Sequence, residues 1–298
     1  MLLLMTLKSD ASADLLISKF NKPVFRFNVE AYLDYEFVFT PESWKIQNLV
    51  GREITSETAT RCMWWKALII SPDDDPFIRG EIRYAANELY SWFRERSLLI
   101  GNPPNTDDYL GKLRQSAIAS RYLTVSDQRI IWGSNGLSQL DRDRNWVVKS
   151  LSSQLNKNGD AVFTSDVQPE LLAPSFPWYV QEKVTGSHDV TVVVVGRRLF
   201  AYSRSREDLL TPDWRFEIFT SDTSWNPFEL TSIQEQNIAL TLKAMNLEWG
   251  RIDFLLVDGE LVFLEINPNG QWAFLDLGDQ QGLITAVAKY VEDHPTHS

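Results

Sequence analysis

The stretch from Gly250 to Asp276, GRIDFLLVDGELVFLEINPNGQWAFLD, constrains the fold more than any other in the chain. It reads as a hairpin. Ile252 to Val257 is one apolar run, Asp258-Gly259 is a two-residue turn suited to a tight antiparallel connection, and Leu261 to Ile266 is the returning run. Oxygen-bearing side chains interrupt these strands. Asp253 lies early on the first, while Glu265 and Asn267 lie two apart on the second, so both project from one face. Carboxylate and amide oxygens with no His or Cys nearby suit magnesium, which is held by one or two carboxylates together with substrate phosphates. The same alternation also fits carboxylates that merely face solvent. Asn267-Pro268-Asn269-Gly270 favours the cation, because it ends the strand in a rigid turn where a ligand-presenting loop would begin.

The run DFLLVDGELVFLEINPNGQW resembles the magnesium-binding hairpin of the ATP-grasp ligases. Its NPNGQW ending is similar to the branch that cross-links ribosomal peptides, the graspetide or microviridin-type maturases. The resemblance implies an α/β chain of α+β lobes clasping ATP. By it, Asp253, Glu265 and Asn267 hold the Mg2+ ions that bridge the ATP phosphates.

Composition sets bounds on this reading. With 298 residues, 44% hydrophobic and 23% charged, the chain can bury a substantial core as one large domain or a few small lobes. A net charge of −11 argues against nonspecific nucleic-acid binding, which needs a basic surface. The single cysteine, Cys62, precludes an intramolecular disulfide and points to a reducing, cytoplasmic setting, with Cys62 itself a small buried apolar residue. The N-terminal MLLLMTLKSD is too short an apolar span to cross a membrane and reads as a first strand. Among 11 tryptophans, Trp64-Trp65, Trp214 and Trp272 lie in contexts that look exposed, where aromatics often line grooves, although buried packing is commoner.

Taken in order, Leu2 to Leu7 is an apolar run, Ser12 to Phe20 suits a helix capped by Ser9 or Asp10, and Pro23 to Val29 alternates as a strand. Tyr35 to Phe39 and Ser43 to Asn48 read as further strands, and residues 62 to 69 as a strand carrying Lys66 among aromatics. Pro76 to Arg96 has Ile82, Ala85, Leu89, Trp92 and Phe93 at helical spacing, and Leu98 to Ile100 is a strand. Gly101 to Asn105, GNPPN, breaks regular structure and marks a lobe boundary. Asp107 to Tyr122 is a helix, and Gln128 to Trp132 a strand or the end of a loop. Trp146 to Lys149 is a short strand with a lysine at its tip, a compact charge suited to phosphate oxygens, followed by a polar loop from Ser150 to Gly159. Trp178 to Val184 is another strand, as are Val190 to Val195 and Leu199 to Ser203 around a Gly196-Arg197 turn. Thr231 to Asn246 is a helix with a Thr or Ser cap, and Leu283 to Val291 closes the chain as a helix.

The resemblance spans nearly the whole chain and adds roles to these positions. It divides the chain into an N-terminal lobe (residues 1–104, on the peptide side), a central lobe (105–184) and a C-terminal lobe (185–298). Lys112 matches the lysine that opens the central lobe, and Lys149 the lysine that meets the α-phosphate. The backbone from Gln181 through Glu182 and Lys183 to Val184 resembles the hinge that pairs with the adenine edge, with Glu182 taking a ribose or amino-group hydrogen bond. Asp189 opens a hairpin of the kind placed over the nucleotide. Pro212-Asp213-Trp214-Arg215 resembles the signature of the peptide-modifying branch, in which the Arg215 guanidinium contacts a carboxylate or acyl phosphate; Arg204 and Arg206 are available for similar groups. The chain departs from its relatives in two places. The phosphate-covering loop is poor in glycine, and Thr191 stands where amino-acid-adding ligases carry arginine.

What this implies is an ADP-forming ligase that activates Asp or Glu side chains of a ribosomal precursor peptide, bearing a leader segment and an acidic core, as acyl phosphates. Hydroxyl or amine attack then closes ester or amide cross-links. Two other readings share the sequence: a ligase adding amino acids to a peptide or small carboxylate, and a weakly catalytic, nucleotide-dependent peptide-binding protein. Relatives in the peptide-modifying branch are dimeric, so a homodimer is expected.

Overall fold

The computed structural model describes residues 1–65, 75–102, 110–151, 164–207 and 225–294. The expectations that rest on Lys66, on the loop beyond Leu151, and on Asp213, Trp214 and Arg215 lie outside these residues.

The chain opens with strand β1 (Leu2–Thr6), helix α1 (Ala11–Ile17) and strand β2 (Val24–Asn28), and β1 and β2 pair in parallel. Asp10, not Ser9, caps α1, its carboxylate accepting from the Ser12 and Ala13 amides at 3.1 and 3.4 Å. Strands β3 (Tyr35–Phe39), β4 (Trp44–Asn48) and β5 (Glu53–Thr55) form a separate antiparallel sheet. Strand β6 (Arg61–Trp64), helix α2 (Pro76–Glu95) and strand β7 (Leu99–Ile100) complete the first sheet in the order β2-β1-β6-β7, all parallel. Helix α2 buries Ala86, Leu89 and Phe93 against it.

Helix α3 (Lys112–Ala119) is shorter than its apolar spacing predicts: it ends at Ala119, and Ser120 to Tyr122 form a turn. After β8 (Thr124–Val125) come β9 (Gln128–Ile131), the short helix α4 (Gly133–Leu137), β10 (Trp146–Lys149), β11 (Ser165–Val167) and β12 (Trp178–Glu182). Four of these strands make an antiparallel sheet ordered β11-β10-β12-β9. The remainder builds the largest sheet: β13 (His188–Val195), β14 (Arg198–Ser205), β15 (Asn226–Pro227), helix α5 (Ser232–Ala244), β16 (Trp249–Val257), β17 (Glu260–Asn267) and helix α6 (Leu283–Asp293). Its six strands run β15-β14-β13-β16-β17-β8. Thr231 caps α5 in a reciprocal capping box with Gln234.

Of the tryptophans that look exposed in the sequence, the three among the described residues are buried: Trp64 is 4% exposed, Trp65 1% and Trp272 1%. Trp65 packs edge-on against Trp249 and Trp272, with ring centroids 4.3 and 5.6 Å apart, inside a core that runs from Leu4, Met63 and Ile100 of the first sheet to Val287 of α6. Sequence position misleads here because Trp65, just after β6, and Trp272, after β17, enter one core shared by residues of the first and the largest sheets, where a large flat ring removes more apolar surface from water than any other side chain. Cys62 is fully buried, and burial pushes its thiol pKa up. No helix among the described residues is long and apolar enough to cross a membrane.

Candidate active site

The β16–β17 hairpin turns at Asp258 (φ 49°) and Gly259 (φ 86°), the left-handed pair that a two-residue antiparallel turn requires. The register sets Asp253 directly opposite Glu265 and Arg251 opposite Asn267, with an irregularity between Asp253 and Phe254. All four side chains therefore gather at one end of the hairpin.

Asp253 accepts four hydrogen bonds: from Arg251 Nε at 3.1 Å and Nη2 at 2.9 Å, from Thr191 Oγ1 at 2.8 Å, and from Asn267 Nδ2 at 3.1 Å. Arg251 also donates to the Gln271 carbonyl at 2.7 Å, which ties the loop after β17 back to β16. Sequence reading missed Arg251. The signal was there, since residues two apart on a strand share a face and Arg251 precedes Asp253 by two. Gly270 closes the turn, because a Cβ there would stand 2.7 Å from the Asn267 Cβ.

Glu265 is held from the other side. Helix α3 packs on β17 and places Lys112, its first residue, with Nζ 2.5 Å from Glu265 Oε2. Buried Gln115, one turn on, accepts from the Ile266 amide at 3.1 Å and donates to the Leu110 carbonyl at 3.0 Å, fixing the helix against the strand. Burial by itself would raise the Glu265 pKa, but Lys112, Lys149 and Arg251 outweigh it and bring it down to about 2.

Facing this wall is the β10–β12 pair. A cavity lies between the two sheets, lined by Lys149, Gln181 and Val184 on one side and by Asp189, Arg251, Asp253 and Glu265 on the other. Lys112 and Asn267 adjoin the cavity, each bonded to a carboxylate that lines it. The hinge is narrower than expected. The Glu182 amide donates to the Asp127 carbonyl and the Lys183 amide to the Asn145 carbonyl, both at 2.8 Å, because the loops flanking β9 and β10 continue the ladder. Of these hinge amides, that of Val184 is the one left without a partner among the described residues. The Glu182 side chain pairs with Arg144 at 3.2 Å, and Lys183 with Asp166 at 2.7 Å. The Gln181 side-chain amide donates from Nε2 to Ser126 Oγ at 2.8 Å, and its buried Oε1 has no partner among the described residues.

At the start of β13, Asp189 is 6% exposed and accepts from Arg206 Nη1 at 2.6 Å. Burial raises its pKa, more than Arg206 lowers it. Arg206 lines the cavity; Arg204, 3% exposed, does not line it but lies directly opposite Asp189 in the β13–β14 register, on the same face of the sheet. Thus the structure brings together Lys112, Lys149, the hinge, Asp189, Asp253, Glu265 and Asn267, with Arg204 buried beside Asp189. Among the described residues no cluster of three or more His, Cys, Asp or Glu is present. The donors at the hairpin are two carboxylates and one amide, an oxygen-only set that fits magnesium and not zinc.

A scan against protein-family models gives no match, and no curated protein matches the sequence. Solved structures do match in shape. The macrocyclase MdnC from Microcystis aeruginosa MRC, bound to precursor peptide MdnA, superposes with a TM-score of 0.80 at 18% identity, covering 99% of this chain and 100% of that one. A RiPP-associated ATP-grasp ligase from Chryseobacterium gregarium, in complex with ADP and a leader and core peptide, gives 0.79 at 21% identity, covering 99% and 97%. The ATP-grasp ligase PsnB, with a minimal precursor variant, Mg and ADP, gives 0.71 at 12% identity, covering 98% and 97%. The cavity between the four-stranded and six-stranded sheets, the acidic hairpin in one wall and the full-length superposition together establish that the chain has the ATP-grasp fold.

Proposed function

We infer that the chain is an ATP-dependent ligase acting on side-chain carboxylates of a ribosomally made precursor peptide, joining them to hydroxyl or amine side chains as esters or amides. The observation that carries this reading is the inter-sheet cavity, where Asp253 and Glu265 face Lys149 and the hinge in a chain whose whole length superposes on peptide-bound ligases. Nucleotide phosphates beside the hairpin would meet Lys149 and Lys112, and an adenine edge the Val184 amide, with the buried Gln181 Oε1 nearby as an acceptor for an amino group. Asp253, Glu265 and Asn267 would hold magnesium, which when bound neutralises phosphate charge and orients the phosphoryl group for in-line transfer.

The chemistry balances as two displacements. A peptide carboxylate oxygen attacks the γ-phosphorus and ADP leaves, giving an acyl phosphate. A hydroxyl or amine then attacks the acyl carbon, phosphate leaves, and the nucleophile's proton is lost to solvent. The protein's share is positioning and charge stabilisation. Arg251 is fixed by Asp253 and by the Gln271 carbonyl, so its guanidinium is a preorganised cation at the cavity wall. Arg215 and Arg206 are further candidates for the peptide carboxylate, and Arg204, buried beside Asp189, for a supporting charge. The division into lobes at 104 and 184, a homodimer, a leader-bearing peptide with an acidic core and a cytoplasmic setting belong to the same reading.

The test is the intact mass of short acidic precursor peptides after incubation with the protein and Mg-ATP. Loss of one water per bond, with ADP released, is expected. Mass increments equal to amino-acid residues, or binding without ADP release, would overturn it.

A further inference from the structure

The open end of the β16–β17 hairpin is closed by a residue from a distant part of the chain. After β7, Gly101 turns at φ 82°, and a Cβ there would meet Trp249 Nε1 at 3.5 Å. The turn delivers Asn102, 5% exposed, to the point where the hairpin strands part. Its Nδ2 donates to the Trp249 carbonyl at 2.8 Å and to the Pro268 carbonyl at 2.9 Å, and its Oδ1 accepts from the Glu248 amide at 3.4 Å. Trp249 opens β16 two residues before Arg251 and Pro268 directly follows Asn267, so both lie beyond the last paired residues, Arg251 and Asn267.

Beyond Arg251 and Asn267 the two strands no longer pair, and Pro268 brings no N–H with which to resume the ladder. The two N–H groups of one side-chain amide there bind a carbonyl of each strand and bridge the parted ends. Pro268 is bonded covalently to Asn267, whose own amide donates to Asp253. Asn267 is thus located from the front by Asp253 and from behind, through Pro268, by Asn102. Gly270 lets the turn fold back this closely, because a Cβ there would stand 2.7 Å from the Asn267 Cβ.

We propose that Asn102 is a positioning residue for the hairpin's cation site: it fixes where Asn267 stands relative to Asp253 and Glu265, and so couples the end of the N-terminal parallel sheet to metal-nucleotide binding. The proposal rests on the magnesium reading of the hairpin given above. It assigns Asn102 no contact with metal or substrate. Groups that orient ligand residues from behind contribute roughly 10- to 100-fold to metal affinity, and an effect of that size is expected here.

The experiment is a titration of the full-length protein with Mn2+ in the presence of ADP, followed by the paramagnetic signal of free Mn2+. Asn102→Asp keeps the size, removes both donors and sets a carboxylate against two carbonyls; Asn102→Ser is the milder variant, to be used if the first does not fold. Weaker Mn2+ binding by about tenfold or more, with the loss not adding to that of Asn267→Ala in the double variant, is the expected result. Unchanged Mn2+ affinity alongside a lower melting temperature would reduce Asn102 to a merely structural residue, and additive losses would mean that it does not act through Asn267. If wild type binds Mn2+ no better than Glu265→Gln does, the magnesium reading itself has failed, and that outcome is distinguishable from the failure of the Asn102 proposal alone.

Discussion

Glu265 and Asp189 lie on the same cavity wall, each paired with one close cation, yet their carboxyls shift in opposite directions. Glu265 comes down to about 2, whereas Asp189 rises. Both are penalised by burial. The difference lies in the company they keep: Glu265 feels Lys112, Lys149 and Arg251, while Asp189 has Arg206, a weaker contribution from Arg204, and the opposing charge of Asp253. One ion pair does not decide the ionisation of a buried carboxylate; the summed field does. Glu265 stays ionised to lower pH than an ordinary glutamate, as the proposed cation ligand needs, and Asp189 takes up its proton at higher pH than an ordinary aspartate.

Five substitutions break or sharpen that contrast. The largest effect is expected from Glu265→Gln, which leaves the fold intact and lowers ADP release by roughly a hundred- to a thousandfold, the scale for losing one charged group aimed at a phosphoryl transfer. Wild-type turnover in this variant would remove Glu265 from the site. Arg251→Met comes next: it deprives Asp253 of two hydrogen bonds and Glu265 of a cation, and a loss of roughly a hundredfold in turnover is expected, with little change in the melting temperature at neutral pH.

The third concerns pH. Because the folded pKa of Glu265 is depressed from 4.5 to about 2, its contribution to stability is fully present above 4.5 and is lost as pH falls from there towards 2. Lys112→Met should flatten that part of the curve in urea unfolding of metal-free protein. A curve as steep as that of wild type would show that Lys112 is not what holds Glu265 ionised. Asp189 has the opposite sign. Its folded pKa lies above 3.8, so its contribution is present below that value and is lost as pH rises through the folded pKa; Asp189→Asn should remove this slope whatever constant offset it adds. The smallest effect is a control: Thr231→Ala removes the cap of α5, far from either carboxylate in the chain, and should cost about 1 kcal/mol at every pH measured. A pH-dependent loss there would mean that the two carboxylates are not the source of the slopes.

Much of the candidate site was legible in local pattern. The alternation around Asp258-Gly259 predicts the hairpin because strand period and turn chemistry are short-range properties, and Asp253, Glu265 and Asn267 fall at one end of it as a matter of counting. Asp10 and Thr231 read as helix caps for the same reason: a short polar side chain satisfies an amide two or three residues on. Misreadings occurred where the answer depended on another part of the chain. Trp65 and Trp272 look like loop aromatics until two sheets close over them. The Glu182 and Lys183 amides look available until Asp127 and Asn145 take them.

The sequence by itself determined the elements and the chemistry they carry, namely a tight acidic hairpin, a lysine at a strand tip and another on a helix, and a parallel opening unit, since each follows from periods and turns a few residues long. Only the tertiary structure decided which cation faces which carboxylate, that Arg251 and not Arg204 stands at the cavity, and that Asn102 closes the hairpin from 147 residues away. Those outcomes depend on strand register and sheet packing, where a one-residue shift exchanges every inward side chain for an outward one, and no local pattern encodes the partner's position.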